Sequence, residues 1–199
     1  MSTPSAIAKA LIRRQGTARS RELVAAGVAR AQLSRLVAAG ELARPARGVY
    51  ALPGQVGNTE DSVLLVARRL PEATFCLLTA LRLHGLSTQA PFEVWIAINN
   101  KSRMPQSNWP PLRVVRFSGA ALTAGVETRK LGKQRVRVTN PAKTVADCFK
   151  FRNLVGLDVA IEALREALRA RAASVDDLWN YAQICRVTKL MRPYLEALA

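Results

Sequence analysis

The sequence predicts an α+β fold in two units, and three observations carry that expectation. Residues 1–57 read as three helices followed by a short extended pair, residues 92–98, 112–117 and 126–138 carry strand patterns, and from Pro141 onward apolar residues recur at helical spacing. The expected boundary is the linker Pro53, Gly54, Gly57 and Asn58, the clearest shift in composition, which gives units 1–57 and 58–199. The second unit is expected to be mixed α/β, with a small, largely antiparallel sheet and a helical C-terminus.

Each element has its own signal. Ile7, Leu11 and Ile12 form one buried stripe before Gly16 stops the first helix; Ser20–Ala26 turns Leu23 and Val24 inward and closes at Gly27; Ala29–Ala39 puts Leu33, Leu36 and Val37 on one side and stops at Gly40. Leu42–Arg44 and Val49–Ala51 are extended pieces joined around Pro45 and Gly48. In the second unit Thr59 can cap a helix to about Leu70, with Glu60 and Asp61 in its first turn where negative charge suits the dipole, and Pro71 ends it. A helix is expected over Phe75–Leu83. Phe92, Val94, Ile96 and Ile98 alternate with Glu93, Trp95 and Ala97, Leu112–Phe117 is a second run, and the proline-rich stretch Asn99–Pro111 between them reads as a long loop. Val126–Leu131 and Arg135–Val138 flank Gly132 as a hairpin. Helices are expected over Pro141–Phe151, Leu157–Arg171 and Val175–Val187, the last with Ser174 and Asp177 spaced as a capping box, and then one short final helix.

Composition narrows the function. In 199 residues, 49% are apolar, enough for a core and too many for a disordered chain. No apolar run approaches the roughly 18 residues of a membrane span, so a soluble, unprocessed, cytoplasmic protein without a membrane partner is expected. Cys76, Cys148 and Cys185 are widely spaced and set among apolar neighbours, as buried thiols are in a reducing compartment. With His84 the only histidine, the ligand set of a structural zinc site is missing, and no metal is expected. Thirty Lys and Arg against 14 Asp and Glu leave a net charge of +16, which calls for a polyanionic partner. That charge is uneven: +7 over residues 1–57, +9 over 58–157 and zero over 158–199.

Helix, short helix, glycine turn, second helix and hairpin is the order of a winged helix-turn-helix, whose second helix offers a polar face to base edges while its other side locks into the core. On Ala29–Ala39 the outward residues are Ala31, Ser34, Arg35 and Ala38. Small residues beside one arginine permit close approach to a major-groove floor. Arg35 can donate two hydrogen bonds to a guanine, and Gln32 has the chemistry to pair with an adenine. Arg30 suits a phosphate, and Arg19, Arg21, Arg44 and Arg47 would ring the helix with further phosphate contacts. Ala29 stands where a Ser or Thr cap is usual, a loss of about 1 kcal/mol.

The run GTARSRELVAAGVARAQLSRLVAAGELARPARGVYALPG, residues 16–54, resembles the N-terminal winged helix of the AbiEi-like antitoxins of type IV abortive-infection systems. TALRLHGLS, residues 79–87, and VTNPAKTVADCFK, residues 138–150, resemble motifs of that family's second domain. The resemblance implies a transcriptional repressor that binds inverted repeats of double-stranded DNA in its own promoter and an antitoxin that opposes a nucleotidyltransferase-like toxin, directly or functionally. Inverted repeats would take two copies of the chain, as a dimer or as paired monomers. A protein-interaction module that binds its toxin directly, with DNA secondary, is the alternative. RNA binding has less support, because Trp95, Trp109 and Trp179 are scattered.

Catalysis lacks a signature, and neither a catalytic residue nor a cofactor is expected. No nucleophile elbow accompanies His84, which precedes Gly85 at a helix end and reads as structural. In the stretch that resembles the family's second-domain motif, Asp147 looks like a fold-stabilising acid near Lys143 and Thr144, with a catalytic or phosphate-handling role as the alternative. No acidic residue is followed two positions later by Lys, so half of a restriction-type nuclease site is absent. Arg129, Lys130, Lys133, Arg135 and Arg137 form a second basic patch, which either extends a DNA footprint or faces an acidic partner or RNA; DNA is the favoured reading.

Overall fold

The computed structural model describes residues 3–15, 17–53, 59–89, 91–105 and 110–198. Gly16, most of the linker (Gly54, Gly57 and Asn58) and Trp109 lie outside the described residues.

The first unit runs α1 (Pro4–Gln15), β1 (Ala18–Arg19), α2 (Ser20–Ala25), α3 (Arg30–Ala38), β2 (Ala43–Ala46) and β3 (Val49–Ala51). Its core gathers Ala8, Ile12, Ala18, Leu23, Val28, Leu33, Leu42 and Tyr50, so the inward stripes expected of the helices meet at one point. Val24, expected inward, is instead 42% exposed, because Leu23 alone fills the space beneath α2. Between α2 and α3 the chain reverses at Gly27, φ +93°, where a side chain would be strained, and Val28 drops into the core. The strands form a three-stranded antiparallel sheet, order β1-β3-β2, whose β2–β3 hairpin is the wing. Gly48 at its turn accepts a hydrogen bond from the Ser20 amide at 2.8 Å, which ties the wing to the start of α2. Glu41 accepts from Ser5 Oγ at 2.6 Å and Lys9 Nζ at 2.7 Å, fixing α1 to the turn after α3.

The remaining elements are α4 (Thr59–Arg69), β4 (Thr74–Phe75), α5 (Leu77–His84), β5 (Val94–Asn99), β6 (Leu112–Phe117), α6 (Ala120–Thr123), β7 (Val126–Leu131), β8 (Gln134–Thr139), α7 (Pro141–Lys150), α8 (Arg152–Val155), α9 (Leu157–Arg169), α10 (Val175–Cys185) and α11 (Thr188–Leu198). The α+β class and the helical C-terminus are as the sequence predicts, while β1, β4, α6 and α8 are additions to the expected elements. In detail, the five-stranded sheet, order β6-β5-β4-β8-β7, is mixed: β4–β5 and β7–β8 are antiparallel, while β5–β6 and β4–β8 are parallel. Antiparallel ladders are therefore half of it rather than most. The crossover between Asn99 and Leu112 is long enough to carry the chain back along a strand, so β6 runs beside β5 in the same direction.

The helix expected over Phe75–Leu83 divides in two. Thr74 and Phe75 are drawn into the sheet by pairing to β5 on one side and β8 on the other, and the helix begins only at Leu77. The final helix, expected short, extends from Thr188 to Leu198 through Pro193, because Met191 and Leu195 bury against the larger core. That core lies on one side of the sheet with α7, α9, α10 and α11, and a smaller one, with Val63, Val66, Phe75, Ile96 and Val138, lies under α4.

Candidate nucleic-acid interface

The outward face of α3 follows from its inward one. Leu33 is fully buried and Leu36 and Val37 are half-buried, so Arg30, Ala31, Ser34, Arg35 and Ala38 are left exposed. Ser34 Oγ rests at 3.4 Å from the Arg30 carbonyl and takes no other partner among the described residues. Arg44 and Arg47 stand exposed on the wing and Arg21 on α2. Among the described residues, the side chains of Arg21, Arg30, Arg35, Arg44 and Arg47 make no hydrogen bond or ion pair. Five permanent charges on α2, α3 and the wing are thus held in water, with their full donor sets open.

One residue of this group has an additional engagement. Gln32 is half-buried, and its side-chain carbonyl accepts from the Ala29 amide at 3.0 Å. This is the returning half of a capping box, so the helix start that lacks a Ser or Thr side chain still has one of its free N–H groups satisfied. For Gln32 to read an adenine with both amide atoms, that bond must open. The signal was in the sequence: Gln stands three residues after the cap position. Burial raises the Glu93 pKa, and the charges of Arg113 and then of Arg19 oppose it.

The second basic patch divides between partnered and free side chains. Lys130, Lys133 and Arg135 are exposed, and Lys130 sits directly opposite Arg135 across the β7–β8 ladder, a like-charge pairing that costs stability unless an anion joins it. Arg129 instead donates to the Leu83 carbonyl at 2.6 Å and faces His84 Nδ1 at 3.4 Å, closing the C-terminal end of α5. Arg137 pairs with Glu72 at 2.9 Å. Two of the five cations therefore have partners within the fold, 46 and 65 residues away.

Behind the hairpin lies a buried ionic cluster. Lys143 and Asp147, one turn apart on α7 and both fully buried, are joined at 2.6 Å, and the Cys185 thiol donates to the same carboxylate at 3.3 Å. Burial pushes the Asp147 pKa up, and Lys143 pulls it back. The same desolvation raises the Cys185 thiol to about 12 and lifts Cys76 and Cys148 as well, which leaves all three thiols protonated and inert as nucleophiles. Lys143 Nζ also lies 4.9 Å from the centre of the Phe117 ring. His84 Nε2 meets the Thr139 carbonyl at 2.8 Å, a structural contact, and burial lowers its pKa. Among the described residues no cluster of three His, Cys, Asp or Glu side chains is placed to hold a metal ion.

Residues 5–53 match the family model described as "Transcriptional regulator, AbiEi antitoxin", which covers the whole helix-turn-helix and the wing. No curated protein matches the chain. Among solved structures, the RV2827C protein of Mycobacterium tuberculosis is similar at 16% identity and a TM-score of 0.47, over 92% of this chain and 72% of that one. Among the described residues no helix is long and apolar enough to cross a membrane.

Proposed function

Taking the antitoxin-regulator match over residues 5–53 as premise, we propose that this chain is a sequence-specific DNA-binding repressor of its own promoter and the antitoxin of a nucleotidyltransferase-like toxin. The observation that carries the DNA half is the outward face of α3, where Arg35 stands unpartnered among the small residues Ala31, Ser34 and Ala38. A helix with that face admits a base edge close to its backbone, and the Arg35 fork has both donors free for a guanine. Arg19, Arg21, Arg30, Arg44 and Arg47 would fix its register on the phosphates. Lys130, Lys133 and Arg135 supply a second set of phosphate contacts, which the anion-free Lys130–Arg135 opposition favours. Residues 1–57 form the DNA-binding domain in this reading, and residues 58–199 the antitoxin domain. Two copies occupy inverted repeats.

The test is titration of fluorescent duplex carrying the chain's own promoter, followed by anisotropy at several salt concentrations. Arg35→Ala weakens the promoter by about 1–3 kcal/mol and leaves random duplex nearly unchanged, whereas Arg44→Ala weakens both alike and lowers the salt slope by about one. Equal losses on both duplexes for Arg35→Ala would remove α3 from base reading. In cells that co-express the toxin, Arg35→Ala loses repression and keeps neutralisation; loss of both would overturn the division of labour.

A further inference from the structure

We propose that a cavity beside β4, at one end of the five-stranded sheet, is a binding site for a small organic phosphate. It encloses about 420 Å³, a size suited to a metabolite. Four separate segments wall it: the turn from α4 to β4, the end of β5, the β5–β6 crossover, and α6; Arg137 of β8 completes it.

Its charge is one-sided. Arg103 and Arg137 line it with Arg69, against the single carboxylate of Glu72. The existing Arg137–Glu72 pair is easily exchanged, because the Glu72 side chain is 88% exposed and such pairs contribute little. A phosphate can replace that carboxylate on the guanidinium fork in two-bond geometry.

Beside Arg137 stands an unsatisfied donor. Thr74 lines the cavity and is only 4% exposed, yet its hydroxyl has no hydrogen-bond partner among the described residues. A buried hydroxyl without a partner is costly in a folded protein. In the parallel β4–β8 ladder Thr74 is in register with Arg137, which places the two on the same face of neighbouring strands. Hydroxyl and guanidinium therefore converge on one anion. Leu122 and Ile98 give the cavity apolar wall, which inorganic phosphate would not use and an organic body would.

The site predicts opposite effects for Arg137 and Glu72. Isotope-labelled full-length protein is titrated with glucose 6-phosphate, AMP and phenyl phosphate, with inorganic phosphate, adenosine and phenol as controls, and followed by amide shifts in NMR. At least one organic phosphate is expected to shift Thr74, Ala97 and Asn99 saturably, and more tightly than inorganic phosphate or the neutral analogues. Arg137→Gln is expected to weaken that ligand about tenfold, and Glu72→Gln, which removes the internal competitor, to tighten it severalfold. Both side chains reach the surface, so the variants keep the wild-type melting temperature, and a matching reference spectrum verifies the fold. The proposal is overturned if none of the three phosphates moves these amides at millimolar concentration, if the shifts fall instead on α3 and the wing, or if Arg137→Gln binds as wild type does.

Discussion

The cations around α3 and those of the β7–β8 hairpin look alike in sequence and differ in what they touch. Arg21, Arg30, Arg35, Arg44 and Arg47 have no partner among the described residues, whereas in the hairpin Arg129 closes a helix end and Arg137 meets Glu72. A few residues beyond the hairpin, Lys143 is removed from water altogether and neutralised by Asp147. Density of charge along the chain therefore does not measure what is available to a partner. Availability is decided by acceptors brought up from elsewhere in the fold, which take up Arg129 and Arg137 and leave the five arginines around α3 open.

The sharpest way to test that contrast is to remove a cation of each kind. Lys143→Met leaves a carboxylate buried without its counter-charge and is expected to cost about 3–5 kcal/mol in urea denaturation. The double variant Lys143→Met, Asp147→Leu removes both charges and is expected to recover most of that loss. If the single variant loses less than about 1 kcal/mol, the pair is not holding α7 in place.

Arg129 and Arg35 should separate stability from binding. Arg129→Met strips the Leu83 carbonyl of a charged donor, with an expected loss of about 1–3 kcal/mol of stability and no change in promoter affinity. Arg35→Ala, on an exposed and unpartnered side chain, should stay within about 0.5 kcal/mol of wild-type stability while losing DNA affinity. Loss of promoter affinity by Arg129→Met as large as that of Arg35→Ala would erase the distinction between partnered and open cations.

What the sequence made legible follows the same division between local and distant. The stripe of Ile7, Leu11 and Ile12, the Gly27 turn and the Leu33 stripe are set within one or two helical turns, and the structure of the first unit follows them closely. Ser174 and Asp177 cap α10 as their spacing implies, with Ser174 Oγ accepting from the Asp177 amide at 3.0 Å. The Thr74–Phe75 strand was hidden because two residues carry no periodicity; only their partners in β5 and β8 make them a strand. The four-residue helices α6 and α8 were hidden for the same reason. The pairing of Lys143 with Asp147 was legible as a one-turn spacing, but its complete burial was not, since α10 and the Phe117 ring cover it from distant parts of the chain. The Thr74 cavity is assembled from five segments and leaves no mark in any one of them.

The smallest expected effect is the most specific to the hairpin junction, and it is a dependence on pH. Burial holds the His84 imidazole below its ordinary value of 6.5, and the Arg129 guanidinium acts in the same direction; the Thr139 carbonyl and Glu127 oppose them without prevailing. On acidification the unfolded chain takes up this proton first, so His84 contributes stability that is complete above pH 6.5 and is lost as pH falls toward its lowered folded value. Glu41, Glu166 and Asp177, whose pKa values are lowered by their partners, titrate below that range, while Asp147 and Glu93, raised by burial, act with the opposite sign. The absolute slope therefore mixes several groups, and the difference between wild type and His84→Gln isolates one. Between about pH 7 and pH 5 the urea midpoint of wild type is expected to fall more than that of His84→Gln. Parallel profiles would mean that the imidazole changes charge equally in both states, and that Arg129 closes α5 without any help from its neighbour.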